Sequence, residues 1–202
     1  MVLGPLRRAV CTLVLAWQVF ADTPVAVAAN RDEALDRPSE PPEWRDWDPA
    51  VVAPKDAEAD GTWIGYNEHG VFVGITNRWL VDPPAAERSR GLLVRDALAC
   101  RSAEDAAREV ERAVERHSYD GFNLVLADEN AAIYLEWDGR LSVDQFQPGV
   151  HVVVNVGTDG RYAIPAHRPQ VGELQGTNAD AVRTALQPEP GEAASSWLDR
   201  AA

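Results

Sequence analysis

Cys11 is the residue of this chain best equipped for nucleophilic chemistry. It opens the apolar run "CTLVLAWQ", and a second apolar run, "PVAVAAN", closes on Asn30, Arg31, Asp32 and Glu33. A thiol attacks as its thiolate; a guanidinium nearby favours that form, and a carboxylate orients the guanidinium. If the two runs form a hairpin, the second returns toward the start of the first and brings Cys11 near Arg31 and Asp32. The same "NRDE" stretch also suits a charged turn after a strand. Asn77, at the end of "GITN", and Asn155, at the end of "VVVN", form a second constellation. Side-chain and backbone N–H groups of asparagine stabilise oxyanions, although asparagine at a strand end is also ordinary turn chemistry.

The elements that must position these residues follow from hydrophobic period. "CTLVLAWQ" and "PVAVAAN" read as strands joined through the short link "VFADT". The stretch "RDEALDRPSEPPEWRDWDP", rich in proline, charge and tryptophan, reads as an irregular surface loop that folds over something. "TWIGYN" and "VFVGITN" flank "EHG" as a hairpin with Gly70 in the turn. "SRGLLVRDALAC" and "SAEDAAREVERAVERH" read as helices, the second capped by Ser102 with acidic residues in its first turn. "FNLVLAD", "AAIYLEW", "RLSVDQF" and "HVVVNV" are four further strands, and "NADAVRTAL" and "EAASSWLDRAA" are helical. Strands that neighbour one another in sequence favour antiparallel sheets with helices packed outside.

Composition narrows the function classes. The 202 residues suffice for one domain with a sizeable core. A formal net charge of −13 argues against binding nucleic acid through its phosphates. Lys55 is the one lysine among 19 basic residues, and abundant carboxylate with almost no lysine is the pattern of a surface adapted to high salt. Gln18 and Asp22 interrupt the one apolar run that approaches membrane-spanning length, so no membrane partner is expected. Cys11 and Cys100 have none of the density of a disulfide scaffold, and Cys100 reads as a small buried hydrophobe. The four histidines are scattered, so no metal and no cofactor is expected. His117 suits a cation at a helix C-terminus. Phosphate-binding glycine loops and a GxSxG elbow are absent from the sequence.

The stretch "CTLVLAWQ…VAVAANRDEALDRPSEPP" resembles the start of the NRDE-motif family, the group related to the transport and Golgi organisation protein 2. The resemblance extends through Trp63 to Asn77 and the strand ending at Asn155. That family in turn resembles N-terminal-nucleophile hydrolases of the choloylglycine hydrolase and penicillin V acylase type. The resemblance implies an α+β fold, a four-layer αββα sandwich of two antiparallel sheets, incomplete at its C-terminus. It also implies roles. Cys11 matches the nucleophile, whose own α-amino group acts as base, Arg31 and Asp32 match its flanking arginine and aspartate, and Asn77 and Asn155 match the oxyanion-stabilising asparagines. The implied activity is hydrolysis of a non-peptide C–N bond in a small-molecule substrate through an acyl-enzyme. A second reading is a non-catalytic carrier of a hydrophobic small molecule such as a lipid, acyl-CoA or haem. Trp44, Trp47, Trp63 and Trp79 are candidates for an apolar pocket wall, and core packing is the alternative for each.

The mechanism needs an unblocked amine on Cys11, yet ten residues precede it. Valine codons include an alternative start, so translation is expected to begin at Val10 and give Met-Cys. Residues 1–10 are then an extension ahead of the true start, and residues 11–202 form one domain in a cytoplasmic protein. The chain stops inside a helical stretch, "SSWLDRAA", where family members continue into further strands, so a C-terminal truncation is expected. "RRAVCTLVLAWQVFADTP" also imitates an export signal. Cleavage after it would discard Cys11 and the first core strand, which the later matches to the family disfavour.

Overall fold

The computed structural model describes residues 11–32, 36–81 and 85–202. The expected extension, residues 1–10, and Glu33 lie outside the described residues. From the N-terminus come β1 (Thr12–Trp17), β2 (Val25–Asn30), β3 (Ser39–Arg45), β4 (Val51–Asp56), β5 (Ile64–Asn67) and β6 (Phe72–Asn77). Helices α1 (Arg90–Leu98) and α2 (Ala103–Arg116) precede β7 (Phe122–Ala127), β8 (Ala132–Trp137), β9 (Leu141–Gln145) and β10 (Gly149–Val154). The short strands β11 (Gly157–Thr158) and β12 (Arg161–Tyr162) lead into α3 (Pro169–Ala185) and α4 (Ala194–Ala201).

Two antiparallel sheets result. One has the order β12-β11-β10-β1-β2, and the other runs β3-β4-β5-β6-β7-β8-β9. In the first, β1 lies between β2 and a strand from much later in the chain, with Thr12 opposite both Asn30 and Val154. Burial on both faces explains why β1 is apolar from Leu13 to Trp17. Leu13, Leu15 and Trp17 enter the layer between the sheets with Phe72, Val125 and Val153. Val14 and Ala16 face the opposite way, toward Ala179 of α3 and Trp197 of α4. Strand β7 divides similarly. Val125 faces the inter-sheet layer, while Phe122, Leu124 and Leu126 pack with Leu93 of α1 and Val110 of α2. The protein is therefore an α+β four-layer αββα sandwich, with α1 and α2 outside one sheet and α3 and α4 outside the other.

Local chemistry sets several boundaries. Ser102 Oγ accepts the Asp105 N–H at 3.1 Å, as expected of an N-cap. Beside it, the carboxylate of Asp128 accepts the first helical N–H of α2, from Ala103, at 2.7 Å, and the N–H groups of Asn130 and Ala131 at 2.7 and 2.9 Å. Gly70 has φ of +84° in the β5–β6 turn. Among the described residues no helix is long and apolar enough to cross a membrane.

Two expectations need correction. The proline-rich stretch 31–49 contains an edge strand, β3, which pairs with β4 through an irregularity of register between Glu40 and Glu43. Pro41 and Pro42 sit at that irregularity, and an edge strand tolerates proline because one side of it makes no ladder. The helix expected from Asn178 begins nine residues earlier, at Pro169. Proline suits the first helical turn, and packing of the Gly172 and Gly176 face overrides the weak helix propensity of glycine.

Candidate active site

Cys11 is the residue immediately before β1 and is 8% exposed. Its position follows from the hairpin. Thr12 pairs with Asn30, so Cys11 stands where β2 runs out into Arg31 and Asp32. Asn30 closes the hairpin end, because its Oδ1 accepts the Thr12 N–H at 3.0 Å and its Nδ2 donates to Asp32 at 3.4 Å. On the other side of β1, Asn155 follows the last residue of β10. Its Oδ1 accepts the Cys11 N–H at 3.1 Å, and its Nδ2 donates to the backbone carbonyl of Asn77 at 2.7 Å. That second bond crosses from one sheet to the other. A residue earlier, the Val154 carbonyl accepts from the fully buried Asn123 at 2.8 Å, which stitches the sheets at the same end.

A pocket of about 620 Å³ opens at this end, and Cys11, Arg31, Asp32 and Asn77 line it. Asn155, 1% exposed, lies behind Cys11 and does not line the pocket. Its carboxamide is turned with the oxygen toward Cys11. Of the four candidate tryptophans only Trp63 lines the pocket. Trp44 is 70% exposed, Trp47 packs against the core beneath α1, and Trp79 packs with the α3 and α4 layer. Trp44 lies on the edge strand β3, whereas Trp47 and Trp79 lie in loops, where hydrophobicity alone does not specify which way a side chain turns.

Residues that sequence reading passed over complete the walls. The guanidinium of Arg31 lies over the Trp63 ring, 4.1 Å from its centroid, and 3.9 Å from the Asp56 carboxylate. Arg37 grips the same Asp56 oxygen with Nε at 3.0 Å and Nη2 at 2.7 Å. Burial pushes the Asp56 carboxyl up, but the bond from Arg37 and the backbone N–H groups of Ala59 and Glu58 outweigh it. The net shift is below its ordinary value. Arg37 and Asp56 thus form the support on which Arg31 rests. Their one signal in the sequence is Asp56 opening the turn "DAEADG", whose Oδ1 accepts the Glu58 and Ala59 N–H groups at 3.1 and 3.3 Å.

The facing wall is the start of α1. Ser89 Oγ caps the helix by accepting the Gly91 N–H at 3.1 Å, and Arg90 Nη1 donates to the Gly121 carbonyl at 2.8 Å. This wall is held by backbone packed against backbone. Thr62 N donates to the Gly91 carbonyl at 3.1 Å, and a Cβ on Gly61 would lie 2.3 Å from the Gly91 carbonyl carbon. Among the described residues no group of three or more His, Cys, Asp or Glu side chains is placed to hold a metal. Cys100 stands apart from the site. Burial foremost, then the charges of Glu109 and Asp105, push its thiol up to about 11. The pocket can therefore present a thiol, a supported guanidinium and carboxamide groups to one bound molecule.

The model of the family described as Transport and Golgi organisation 2 matches residues 10–172. A Transport and Golgi organization 2 homolog of Mus musculus is 33% identical over 106 residues, which are 50% of this chain and 38% of that protein. The Homo sapiens homolog is 31% identical over 109 residues, 52% of this chain and 39% of that one. The chain's matches thus span less than half the length of these curated relatives. Among solved structures, penicillin V acylase from Agrobacterium tumefaciens superposes with a TM-score of 0.37 at 13% identity, over 68% of this chain and 41% of that one. A variant of conjugated bile acid hydrolase from Clostridium perfringens gives 0.39 at 13% identity, over 70% and 44%.

Proposed function

The chain belongs to the Transport and Golgi organisation 2 family, and from that premise we propose that it is a cysteine amidohydrolase acting on a non-peptide C–N bond. One observation carries the reading: Cys11 lines the pocket while its own nitrogen is held by Asn155 Oδ1 at 3.1 Å. With Cys11 as the first residue, that nitrogen is an amine with an intrinsic pKa of roughly 7.7–8.0, suited to take a proton near neutrality.

The reaction runs in two halves. Cys11 Sγ attacks the substrate carbonyl and its thiol proton passes to the Cys11 amine, giving a tetrahedral oxyanion. Asn77, which lines the pocket, is the residue this reading assigns to stabilise that oxyanion. Collapse breaks the C–N bond, and the amine returns its proton to the departing nitrogen. The thioester left on Cys11 is then hydrolysed by water, releasing a carboxylic acid and restoring the thiol. Arg31, resting on Trp63 and Asp56, supplies positive charge to the pocket that Cys11 lines, and Asp32 lines the same pocket. Asn155 anchors the nitrogen.

The test is expression of the chain starting at Met-Cys11, reaction with an activated acyl ester, and location of the label by mass spectrometry. Acylation at Cys11 that turns over, and vanishes in Cys11→Ala, is the expected result. An unreactive Cys11 together with saturable binding of a hydrophobic small molecule would replace this reading by that of a carrier.

A further inference from the structure

Gln175 of α3 makes a hydrogen bond that the amidohydrolase scheme does not use. Its Nε2 donates to Asn155 Oδ1 at 2.7 Å, on the same oxygen that accepts the Cys11 N–H. We propose that Gln175 is a positioning residue for Cys11, acting through Asn155. The inference takes its chemical meaning from the amidohydrolase reading, but its geometry stands independently of that reading.

The orientation of both carboxamides can be deduced. In the 202-residue chain the Cys11 nitrogen is a peptide N–H, which can only donate, and the Asn77 carbonyl can only accept. Asn155 therefore has one permitted setting, with Oδ1 at Cys11 and Nδ2 at Asn77. A neighbour of Asn155 Oδ1 must in turn be a donor, so Gln175 must present Nε2. Its Oε1 is left as a buried side-chain oxygen with no hydrogen-bond partner, in a residue 3% exposed. Buried polar atoms are rarely left unpaired. A glutamine kept for packing alone would be better replaced by an apolar side chain, so the bond to Asn155 is what the residue supplies. Reversing Asn155 would set two donors against its Nδ2 and carbonyl against carbonyl at Asn77.

The helix holds Gln175 at a defined height. Gly172 admits the Ile164 side chain and Gly176 admits the Tyr162 ring, since a Cβ at either would come within 3.0 Å of them. Tyr162 also donates its hydroxyl to Asp180 at 2.9 Å. Gly172, Gln175, Gly176 and Ala179 share one face of α3 at helical spacing. The outer helix layer is thereby tied to the residue that leads into β1 of the sheet beneath it.

The test uses the full 202-residue chain and reads hydrogen exchange of the Cys11 N–H by NMR, normalised to the Leu15 N–H in the same strand. Gln175→Met removes the donor together with the unpaired oxygen, so it is expected to fold. It should raise relative exchange at Cys11 about fivefold to tenfold at every pH. Gln175→Glu keeps the shape. Its neutral acid can donate to Asn155 and should match wild type at low pH, whereas its carboxylate cannot, so exchange should rise with pH toward the level of Gln175→Met. Because burial raises a carboxyl's pKa, that rise is expected above about pH 4.3. Cys11 exchange equal to wild type in Gln175→Met would overturn the proposal, as would a pH-independent response in Gln175→Glu. Failure of the amidohydrolase reading would appear elsewhere, as absence of acylation at Cys11 in the wild-type chain.

Discussion

The backbone nitrogen of Cys11 donates to the side-chain oxygen of Asn155 at 3.1 Å across 144 positions of sequence. The same asparagine reaches the other sheet through Asn77. One carboxamide therefore sets both the Cys11 nitrogen and the spacing of two strand ends at the pocket's end of the sandwich.

Replacing that carboxamide should be costly. Asn155→Leu leaves the Cys11 N–H, the Gln175 amide and the Asn77 carbonyl without their shared partner in a buried site. A loss of about 1–3 kcal/mol in urea unfolding is expected. Acylation at Cys11 should slow under conditions where the variant remains folded. Stability within experimental error of wild type would show that the network is not made.

Acid should weaken the support under Arg31. The carboxyl of Asp56 titrates below its ordinary value of 3.8 because the bonds it accepts outweigh its burial. A group with a depressed folded pKa adds stability above its unfolded pKa and loses it as pH falls through the folded value. Unfolding free energy should therefore drop on acidification through and below the ordinary carboxylate range. Arg37→Ala should be less stable at neutral pH and should show a flatter acid limb over the same range. Parallel acid limbs for the two proteins would contradict this.

Two glycines should respond differently to alanine. At Gly61 the new Cβ meets backbone atoms of Gly91 at 2.3 and 2.6 Å, so the start of α1, which forms that pocket wall, must shift. Overpacking of this kind costs typically about 1–3 kcal/mol, and backbone is harder to displace than side chain. At Gly70 nothing lies within 4 Å, and only the left-handed φ of +84° opposes alanine. That is expected to cost about 1 kcal/mol. Urea midpoints of the two variants give the comparison, and probe labelling at Cys11 should change in Gly61→Ala alone.

Cys100 should behave as an inert thiol. With its pKa pushed up to about 11 it is almost wholly protonated at pH 8, whereas an ordinary cysteine is a substantial fraction thiolate. In Cys11→Ala, iodoacetamide labelling at Cys100 should be slow near neutrality and accelerate through the alkaline range. Rapid labelling at pH 8 would contradict the burial seen beside α2.

Local pattern in the sequence determined the hairpin and its consequence at the site. The apolar character and length of "CTLVLAWQ" and "PVAVAAN", with a short link between them, point to a hairpin whose second strand returns toward Cys11, and β1 and β2 pair with Thr12 opposite Asn30. The same holds for Ser102 as a cap and Gly70 in its turn, because the groups involved lie within a few residues of one another. Tertiary structure alone decided that β10 flanks the other side of β1, and hence that Asn155 faces Cys11. The reason is that β1 buries both faces, and a strand uniformly apolar carries no label for its second neighbour. Arg37 and Asp56 came together where an edge strand interrupted by prolines pairs with β4, and period gives no guidance there. Gln175 was hidden for a related cause. A polar residue on a weakly helical segment looks like surface until packing of Gly172 and Gly176 turns its face inward, where only hydrogen-bond geometry shows what it holds.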